Sequence, residues 1–329
     1  MNAVRIAFKV LEADEEIPPG YQNMKCHMIF TVKMEDFRRK ARYVAGGHMT
    51  EAPAVLTYAS VVSRESVRIA LTLAALNDLE VKTSDIMNAY LTAPVTEKIW
   101  CTLGPEWGPD AGKRAIIVRA LYGLKSAGAA FRNHLADCMR TLGYKPCKAD
   151  GDLWYKPETR PDDGHAYYSY VLLYVDDCLC IHHDAVGAIK KIDKFFKMKD
   201  GSIGDPDVYL GAKLKPTRLN NGVTAWGMSA SKYVQEAVAN VEKYLAKEGL
   251  PGLVKKALNP FPTGYTPELD ESRELNPTQA NLFQSHIGIL RWMVELGRVN
   301  IMTEVSTLSS HLAMPQEGHQ DAVYHILLT

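Results

Sequence analysis

The sequence predicts an α+β fold, in which helices pack on antiparallel sheets, rather than a doubly wound parallel sheet. Two observations support this class. Segments with a strand pattern and segments with a helix pattern follow one another in unequal order instead of alternating strictly. At the centre of the chain, residues 169–183 read SYVLLYVDDCLCIHH, two apolar β-prone runs joined at a short acidic corner. That pattern is typical of a β-hairpin, so an antiparallel sheet is expected around it.

The corner of this hairpin carries two adjacent aspartates, Asp176 and Asp177, with apolar residues on both sides. An unpaired carboxylate is costly to bury, and a cation that the carboxylates ligate would offset that cost. For a bare pair of aspartates, an exposed acidic turn is the ordinary alternative. A second acidic centre, Asp85 in the segment VKTSDIMNAYL, also lies where a polar segment enters an apolar one. The two centres together favour a cation site.

The other elements follow from hydrophobic periodicity and from capping and turn residues. Helices are predicted over 62–80, with Ser63 as the cap, and over 127–143, 184–196 and 231–248, with at least two more within 278–312. Strand pairs are predicted within 24–48 and 98–119, and a turn with a strand over 206–214.

The composition of the 329-residue chain is typical of a globular protein, with 47% hydrophobic and 23% charged residues. Lys plus Arg and Asp plus Glu both number 38, so the net charge gives no support for a nucleic-acid partner. The six cysteines lack zinc-binding spacing and are interpreted as reduced thiols. No signal peptide and no uninterrupted apolar run of membrane-spanning length is found. These features predict a protein that is neither secreted nor membrane-bound.

One local basic segment stands out against the balanced net charge. Five basic residues fall within ten positions beside only two acidic ones, and they are Lys33, Arg38, Arg39, Lys40 and Arg42. A solvated surface turn is one interpretation of this segment. A hairpin that binds phosphate is the other, because guanidinium groups suit the oxygens of a triphosphate.

Three motifs in order resemble the reverse transcriptase of copia-type retrotransposons. They are DIMNAYL from Asp85, ALYGLKSAGAAF at 120–131, and YVDD at 174–177, and the likeness extends over nearly the whole chain. It implies a right-hand polymerase with fingers and palm in 1–225, a thumb in 226–262, and a linker with a truncated helical connection region in 263–329. The run at 127–130 departs from the QAPRAW continuation that is commonest in copia elements, which weakens the assignment of individual template contacts there.

The resemblance also implies the catalytic metals and their ligands. Two Mg²⁺ ions, with Mn²⁺ as an alternative, would neutralise charge at the attacking and leaving oxygens during nucleotidyl transfer. By resemblance Asp85 and Asp176 hold both metals and Asp177 assists. The backbone carbonyl of Ile86 is a further candidate ligand. Taken singly, each aspartate has an ordinary structural alternative as a salt-bridged or capping residue.

The remaining site residues are assigned by the same resemblance. Nucleotide binding is assigned to Lys40 and Arg42 at the triphosphate, to Tyr90 beneath the sugar, and to Tyr122, Gly123 and Lys125 beside the nucleotide and template. Primer or template binding is assigned to Tyr209, Leu210, Gly211 and Lys213 in a primer-grip hairpin and to Lys243 and Lys247 in a thumb helix, which also carries Lys232 and is followed by Lys255 and Lys256. The alternatives are a core tyrosine at position 90 and a solvated edge strand around Lys213.

The predicted function is that of an RNA-directed DNA polymerase that extends a primer on an RNA or DNA template with dNTPs. The chain is expected to be a fragment of a larger polyprotein whose integrase and ribonuclease H parts it lacks, acting in cytoplasmic virus-like particles or in the nucleus. One alternative is a decayed, non-catalytic remnant that retains nucleic-acid binding. Another is a different two-metal phosphotransfer enzyme such as a nuclease, which would not need Tyr90 or the LYGLK segment.

Overall fold

The structure is a computed structural model, and it describes residues 2–32, 39–51, 53, 56–253 and 257–329. Within the predicted basic segment, Lys33 and Arg38 lie outside the described residues, as do Lys255 and Lys256 after the predicted thumb helix. The chain divides into two compact units, Met1–Asp205 and Pro206–Thr329. The assignment of fingers, palm and thumb to particular ranges stays a prediction.

The described residues of the first unit form eleven strands and five α-helices. In chain order the elements are α1 Asn2–Arg5, β1 Phe8–Val10, β2 Gln22–Asn23, β3 Cys26–Val32, β4 Arg39–Ala45, α2 Arg64–Leu76, β5 Glu80–Asp85, α3 Ala89–Thr92, β6 Ile99–Thr102, β7 Arg114–Ile117, α4 Ala127–Thr141, β8 Lys145–Pro146, β9 Leu153–Thr159, β10 Ala166–Tyr174, β11 Asp177–His182 and α5 Ala185–Asp193.

These strands form two sheets and a separate hairpin. The five-stranded sheet has the order β5-β11-β10-β9-β8, and each neighbouring pair in it is antiparallel. The four-stranded sheet has the order β1-β7-β6-β2, with β2 and β6 parallel, and β3 pairs with β4 as the hairpin. The expected mixture of helices with mainly antiparallel sheets is therefore confirmed.

Helix α2 begins where the sequence predicts and ends earlier. The Ser63 side chain accepts a hydrogen bond from the Ser66 N–H, which satisfies one of the free donors of the first turn. The helix ends at Leu76, and Asp78 has a left-handed φ of 48°. Leu79 continues the apolar periodicity and is buried although the chain has already turned toward β5. The predicted end at residue 80 is therefore wrong.

The core of the first unit lies between the five-stranded sheet and helices α4 and α5. Phe131 and Leu135 on the inner face of α4 are buried in the same cluster as Val171 and Cys178 of the central hairpin. Helices α2 and α5 both contact β11. The hairpin is thus fixed by packing along its strands, and its acidic corner is held at one end of the sheet.

The second unit combines a small sheet with helices. Its elements are β12 Val208–Tyr209, β13 Ala212–Arg218, β14 Thr224–Ser229, α6 Ser231–Lys247, α7 Pro277–Glu295, α8 Met302–Ser309 and α9 Glu317–Leu327. The three strands pair in order, and Phe283, Leu290, Val305 and Val323 are buried together between the helices. Helix α6 begins at Ser231 with Ala230 as its N-cap, and the Ser229 hydroxyl accepts a hydrogen bond from the Ser231 N–H at 3.2 Å.

No helix in the described part of the chain is both long enough and apolar enough to cross a membrane.

Candidate active site

The corner between β10 and β11 is a two-residue turn. Tyr174 pairs with Asp177, and Val175 and Asp176 form the turn between them. Val175 adopts a left-handed φ of 57° and is 38% exposed. This conformation costs an L-residue about 1–2 kcal/mol, and a β-branched residue rarely adopts it. The strained conformation of Val175 therefore fixes the orientation of Asp176, the next residue of the turn.

Strand β5 brings the second acidic centre to the same end of the sheet. Asp85 is the direct partner of Asp177 across the β5–β11 pair. The Ile86 N–H donates to the Asp176 carbonyl at 2.9 Å, and Ile86 itself is buried. Directly opposite residues on antiparallel strands place their side chains on one face, with Cβ atoms about 4.5–5.5 Å apart. The three aspartates that the sequence predicts are therefore brought together.

Burial and mutual repulsion act on these carboxyl groups. Burial, followed by the negative charges of Asp176 and Asp85, raises the pKa of Asp177 to about 6. Burial also raises the pKa of Asp176, with Asp85 adding to the rise and the charges of Lys40 and Lys199 opposing it. An accumulation of negative charge at a partly buried site is the environment that a divalent cation stabilises.

The three aspartates can be compared with the ligands that Mg²⁺ requires. The described residues contain no group of three His, Cys, Asp or Glu side chains arranged to hold a metal by themselves. Mg²⁺ commonly takes one or two carboxylates and completes its shell with water and substrate phosphates. The pair of Asp85 and Asp177 with the adjacent Asp176 fits such a site, in which substrate supplies the remaining oxygens.

An aromatic pair lies beside the carboxylates. Tyr90 follows Asn88, whose left-handed φ of 53° turns the chain sharply into α3. The Tyr90 ring centre lies 4.7 Å from that of Tyr122 and 6.0 Å from that of Phe131. Burial, and then the negative charge of Asp176, raises the pKa of the Tyr90 hydroxyl. Tyr90 is half-buried beside the acidic cluster, so it is not fully withdrawn into the core.

Strand β4 directs two basic residues toward this region. Lys40 and Arg42 are separated by one residue on a strand, so both side chains lie on the same face. The Arg42 guanidinium carbon lies 5.7 Å from the centre of the Tyr122 ring. Lys40 is exposed, and its charge acts on Asp176. The strand thus presents positive charge beside the aromatic pair and the aspartates.

The LYGLK segment forms a tight turn packed against β4. The Ala45 N–H donates to the Tyr122 carbonyl at 2.8 Å. Gly123 has φ +92°, and a Cβ on it would overlap the Ala45 carbonyl oxygen, so glycine is needed there. The Lys125 ammonium donates to the Thr50 carbonyl at 2.6 Å. Lys125 anchors a neighbouring loop in this structure, and its contact with nucleotide or template stays a prediction.

The predicted primer- and template-binding residues belong to the second unit. Tyr209 pairs with Ala212 around Leu210 and Gly211, which both have positive φ, so this segment is a tight hairpin. Tyr209 is buried, whereas Lys213 is exposed. In α6 the side chains of Lys243 and Lys247 are exposed one helical turn apart. The primer and template contacts of these residues stay predictions.

Comparison with known proteins identifies the family. Residues 14–243 match the sequence profile of the family described as reverse transcriptase (RNA-dependent DNA polymerase), which is well over half of the chain. The chain belongs to this family.

Curated relatives of this reverse transcriptase chain come from plant and yeast transposons. It is 28% identical over 333 residues to the retrovirus-related Pol polyprotein from transposon TNT 1-94 of Nicotiana tabacum, covering 95% of this chain and 23% of that protein. It is 26% identical over 325 residues to the corresponding polyprotein from transposon RE2 of Arabidopsis thaliana, covering 94% and 20%. A putative transposon Ty5-1 protein of Saccharomyces cerevisiae is 24% identical over 257 residues, covering 74% and 73%.

The resemblance to copia-type reverse transcriptases is thereby confirmed. The chain spans 20–23% of the length of the two plant polyproteins, as expected for a fragment of a larger polyprotein.

The sequence interpretation of this reverse transcriptase chain missed one charged residue at the site. Lys199 places its ammonium 2.8 Å from Oδ2 of Asp85. The Ser202 hydroxyl accepts a hydrogen bond from the Asp85 N–H at 3.1 Å. Neither residue lies in one of the three motifs quoted above, and both are more than 110 positions from Asp85 in sequence. No local pattern could have indicated them.

Proposed function

We propose that the chain is the polymerase part of a copia-type retrotransposon polyprotein and acts as an RNA-directed DNA polymerase. The observation that carries this proposal is the convergence within one compact unit of Asp85, Asp176 and Asp177 with Tyr90 and Arg42. Carboxylates for metal ions, a cation for phosphate and an aromatic ring for the sugar are the groups that nucleotidyl transfer from a dNTP requires.

In the proposed reaction the primer 3′-hydroxyl gives up its proton to solvent and attacks the α-phosphorus of the dNTP, the bond to the bridging oxygen breaks, and pyrophosphate leaves. Two Mg²⁺ ions, or Mn²⁺ in their place, would supply charge neutralisation at the attacking and leaving oxygens when bound. Asp85 and Asp176 would hold both ions, with Asp177 assisting and the Ile86 carbonyl as a further ligand. The mutual repulsion of these carboxylates supports a cation at this position.

The substrate-binding roles follow from the groups around the carboxylates. Arg42 and Lys40 bind the triphosphate, because both extend from one face of β4 and carry the charge that phosphate oxygens need. The Tyr90 ring lies beneath the incoming sugar, where it excludes the 2′-hydroxyl that distinguishes RNA from DNA. Tyr122 supports that ring from the adjacent turn, and Gly123 lets the backbone approach closely.

The larger organisation belongs to the same proposal. Fingers and palm lie in 1–225, the thumb in 226–262, and a linker with a partial helical connection region in 263–329. The Tyr209–Lys213 hairpin acts as the primer grip, and Lys243 and Lys247 bind duplex phosphates. The template is RNA or DNA. The protein works in cytoplasmic virus-like particles or in the nucleus, and its six free cysteines support these reducing compartments.

Primer extension on poly(rA)/oligo(dT) with dTTP and Mg²⁺ tests the proposal. The wild-type chain is expected to extend the primer, and Asp176→Asn is expected to abolish extension while the melting profile keeps its cooperative transition. Asp162→Asn, which changes an exposed loop residue, is the matched control and should extend like the wild type. Wild-type extension by Asp176→Asn with an unchanged melting profile would remove the metal role.

The same samples separate the two rival functions. A nuclease would degrade a labelled duplex in Mg²⁺ without any dNTP, and it would not depend on Tyr90. A non-catalytic remnant would retain primer–template in a binding assay, yet the wild type would not extend it at any metal concentration.

A further inference from the structure

The segment after α5 runs alongside the end of β5 and is bonded to it. Ile86 and Met198 form an antiparallel bridge. The Lys199 N–H donates to the Asp85 carbonyl at 2.8 Å, and the Asp85 N–H donates to the Ser202 hydroxyl at 3.1 Å. The backbone of Asp85 is therefore held from this side, and Lys199 is delivered to it by main-chain bonds.

The side chain of Lys199 returns to the same residue. Its Nζ lies 2.8 Å from Oδ2 of Asp85, and the two side chains are 51% and 31% exposed. Lys199 and Asp85 are thus joined twice, once through the main chain and once through the ion pair. The main-chain bond fixes the backbone of Lys199 beside Asp85, so forming the ion pair costs only the ordering of the two side chains.

The Lys199 ammonium lies at the end of the sheet where the aspartates meet. Asp177 lies directly opposite Asp85 across the strands. Lys199 thus balances the charge of Asp85 at the point where Asp85 faces Asp177.

The same position makes the ammonium a competitor of a metal ion. Mg²⁺ binds a carboxylate oxygen at about 2.0–2.1 Å, and a second cation on that oxygen repels it. For Oδ2 of Asp85 to ligate a metal, the Lys199 ammonium has to leave it. Its partial exposure lets it move to solvent.

We propose that Lys199 is the internal counter-ion of Asp85 and competes with the divalent metal for its carboxylate, which sets the metal concentration at which the site fills. Lys199 is a positioning residue in this scheme, since it acts through Asp85. The inference rests on the proposed function, because that function makes Asp85 a metal ligand.

Binding of Mn²⁺ to the full chain, followed by electron paramagnetic resonance without primer or nucleotide, tests this competition. Lys199→Met is expected to tighten Mn²⁺ binding about two- to fivefold, the range that a partly exposed ion pair supports. It should also lower the melting temperature of the metal-free protein, because the carboxylates lose their counter-ion. Lys199→Arg keeps the ion pair and should bind Mn²⁺ like the wild type.

Two further variants isolate the pair. Lys197→Met removes an equal charge from the same segment, and Lys197 makes no ion pair among the described residues, so its effect should be much smaller. In an Asp85→Asn background, Lys199→Met should tighten Mn²⁺ binding much less than it does in the wild type, because the carboxylate for which they compete is gone and only the longer-range charge of Lys199 on Asp176 and Asp177 remains.

The outcomes separate this inference from the proposed function. Unchanged affinity in Lys199→Met, or equal tightening by Lys197→Met, overturns the competition even if the wild type binds Mn²⁺ and extends primers. A wild type that neither binds Mn²⁺ nor extends primers overturns the metal site itself, and the role of Lys199 with it.

Discussion

The Arg42 guanidinium lies 5.7 Å from the centre of the Tyr122 ring. This contact joins strand β4 to the LYGLK turn, and Tyr122 in turn contacts Tyr90. A cation over an aromatic face is attracted by the ring and remains free to donate hydrogen bonds in its own plane. The contact therefore restricts the Arg42 side chain to the vicinity of the Tyr122 ring, and the proposed triphosphate role of Arg42 provides the first prediction.

Charge reversal should separate nucleotide binding from duplex binding. Arg42→Glu is expected to raise the apparent KM for dNTP and to spare duplex affinity. Charge reversal at Lys243 and Lys247 should weaken duplex binding for all sequences alike, because phosphate contacts carry no base information. It should also flatten the dependence of affinity on salt by roughly 0.9 in log–log slope for each phosphate of B-form DNA that the protein no longer neutralises.

Steady-state kinetics and fluorescence anisotropy over a salt series measure the two quantities. Lys145→Glu, at an exposed strand position in the first unit, is the control for a general change in net charge. An Arg42→Glu variant that loses duplex binding while keeping its KM for dNTP would reverse the assignment of Arg42 and the two lysines.

Tyr90 provides the second prediction. Replacement by Val or Ala should admit ribonucleotides with a modest loss of dNTP use, because the ring that we propose to exclude the 2′-hydroxyl is removed. The ratio of kcat/KM for rNTP and dNTP measures the effect, and Tyr168→Ala, at an exposed tyrosine of β10, is the control. If the Tyr90 variants reject rNTPs as strongly as the parent and only melt earlier, the residue serves packing against Tyr122 and Phe131.

The raised pKa of Asp177 predicts how stability depends on pH. Its pKa rises from 3.8 to about 6, so across that window the folded protein binds more protons than the unfolded chain. Stability contributed by this group therefore falls as pH rises through the window, and the full penalty remains above it. Asp177→Asn removes the penalty and should raise the melting temperature more at about pH 7.5 than at about pH 4.5.

Thermal melts of metal-free protein at the two pH values measure this difference, with Asp162→Asn as the exposed control. A gain that is equal at both pH values would mean that Asn packs better than Asp and that repulsion among the carboxylates is not the cause.

Two glycines with positive φ predict different costs of adding a methyl group. At Gly164, φ is +71° and a Cβ would meet no atom within 4 Å, so Gly164→Ala should cost only about 1–2 kcal/mol for its conformation. At Gly123 the Cβ would also overlap the Ala45 carbonyl, so Gly123→Ala should cost about 1–3 kcal/mol more. Urea unfolding of both variants measures the free energies, and equal losses would argue against the close contact.

The parts of the fold that the sequence predicts well are those with a local signal. The hairpin over 169–183 is recognisable because apolar residues flank a short acidic turn, and α2 begins at Ser63 because a serine caps its first turn. The predicted end of α2, at residue 80, lies beyond the observed end at Leu76 for a physical reason. Leu79 is apolar and buried after the chain has left the helix, so burial continues where helical geometry does not.

The site shows the same limit. Asp85 and Asp176 could be predicted because each ends a recognisable strand pattern within a family motif. The ion pair of Lys199 with Asp85 could not, because it depends on how the segment after α5 bridges to Ile86 across more than 100 residues of sequence. Lys125 belongs to a motif, yet its bond to the Thr50 carbonyl depends on a loop that no motif includes.

The close approach of the segment around β4 to the LYGLK turn limits the substitutions that copies of a retrotransposon can tolerate. A Cβ at Gly47 would overlap the Gly123 carbonyl, and one at Gly123 would overlap the Ala45 carbonyl. Every other amino acid carries a Cβ, so neither position has a conservative replacement. In copies that accumulate substitutions without selection, the first codon change that replaces either glycine will therefore disturb the close packing beneath Arg42 and Tyr122. Scoring these two positions across related copies distinguishes those that can still pack this turn closely from those that cannot.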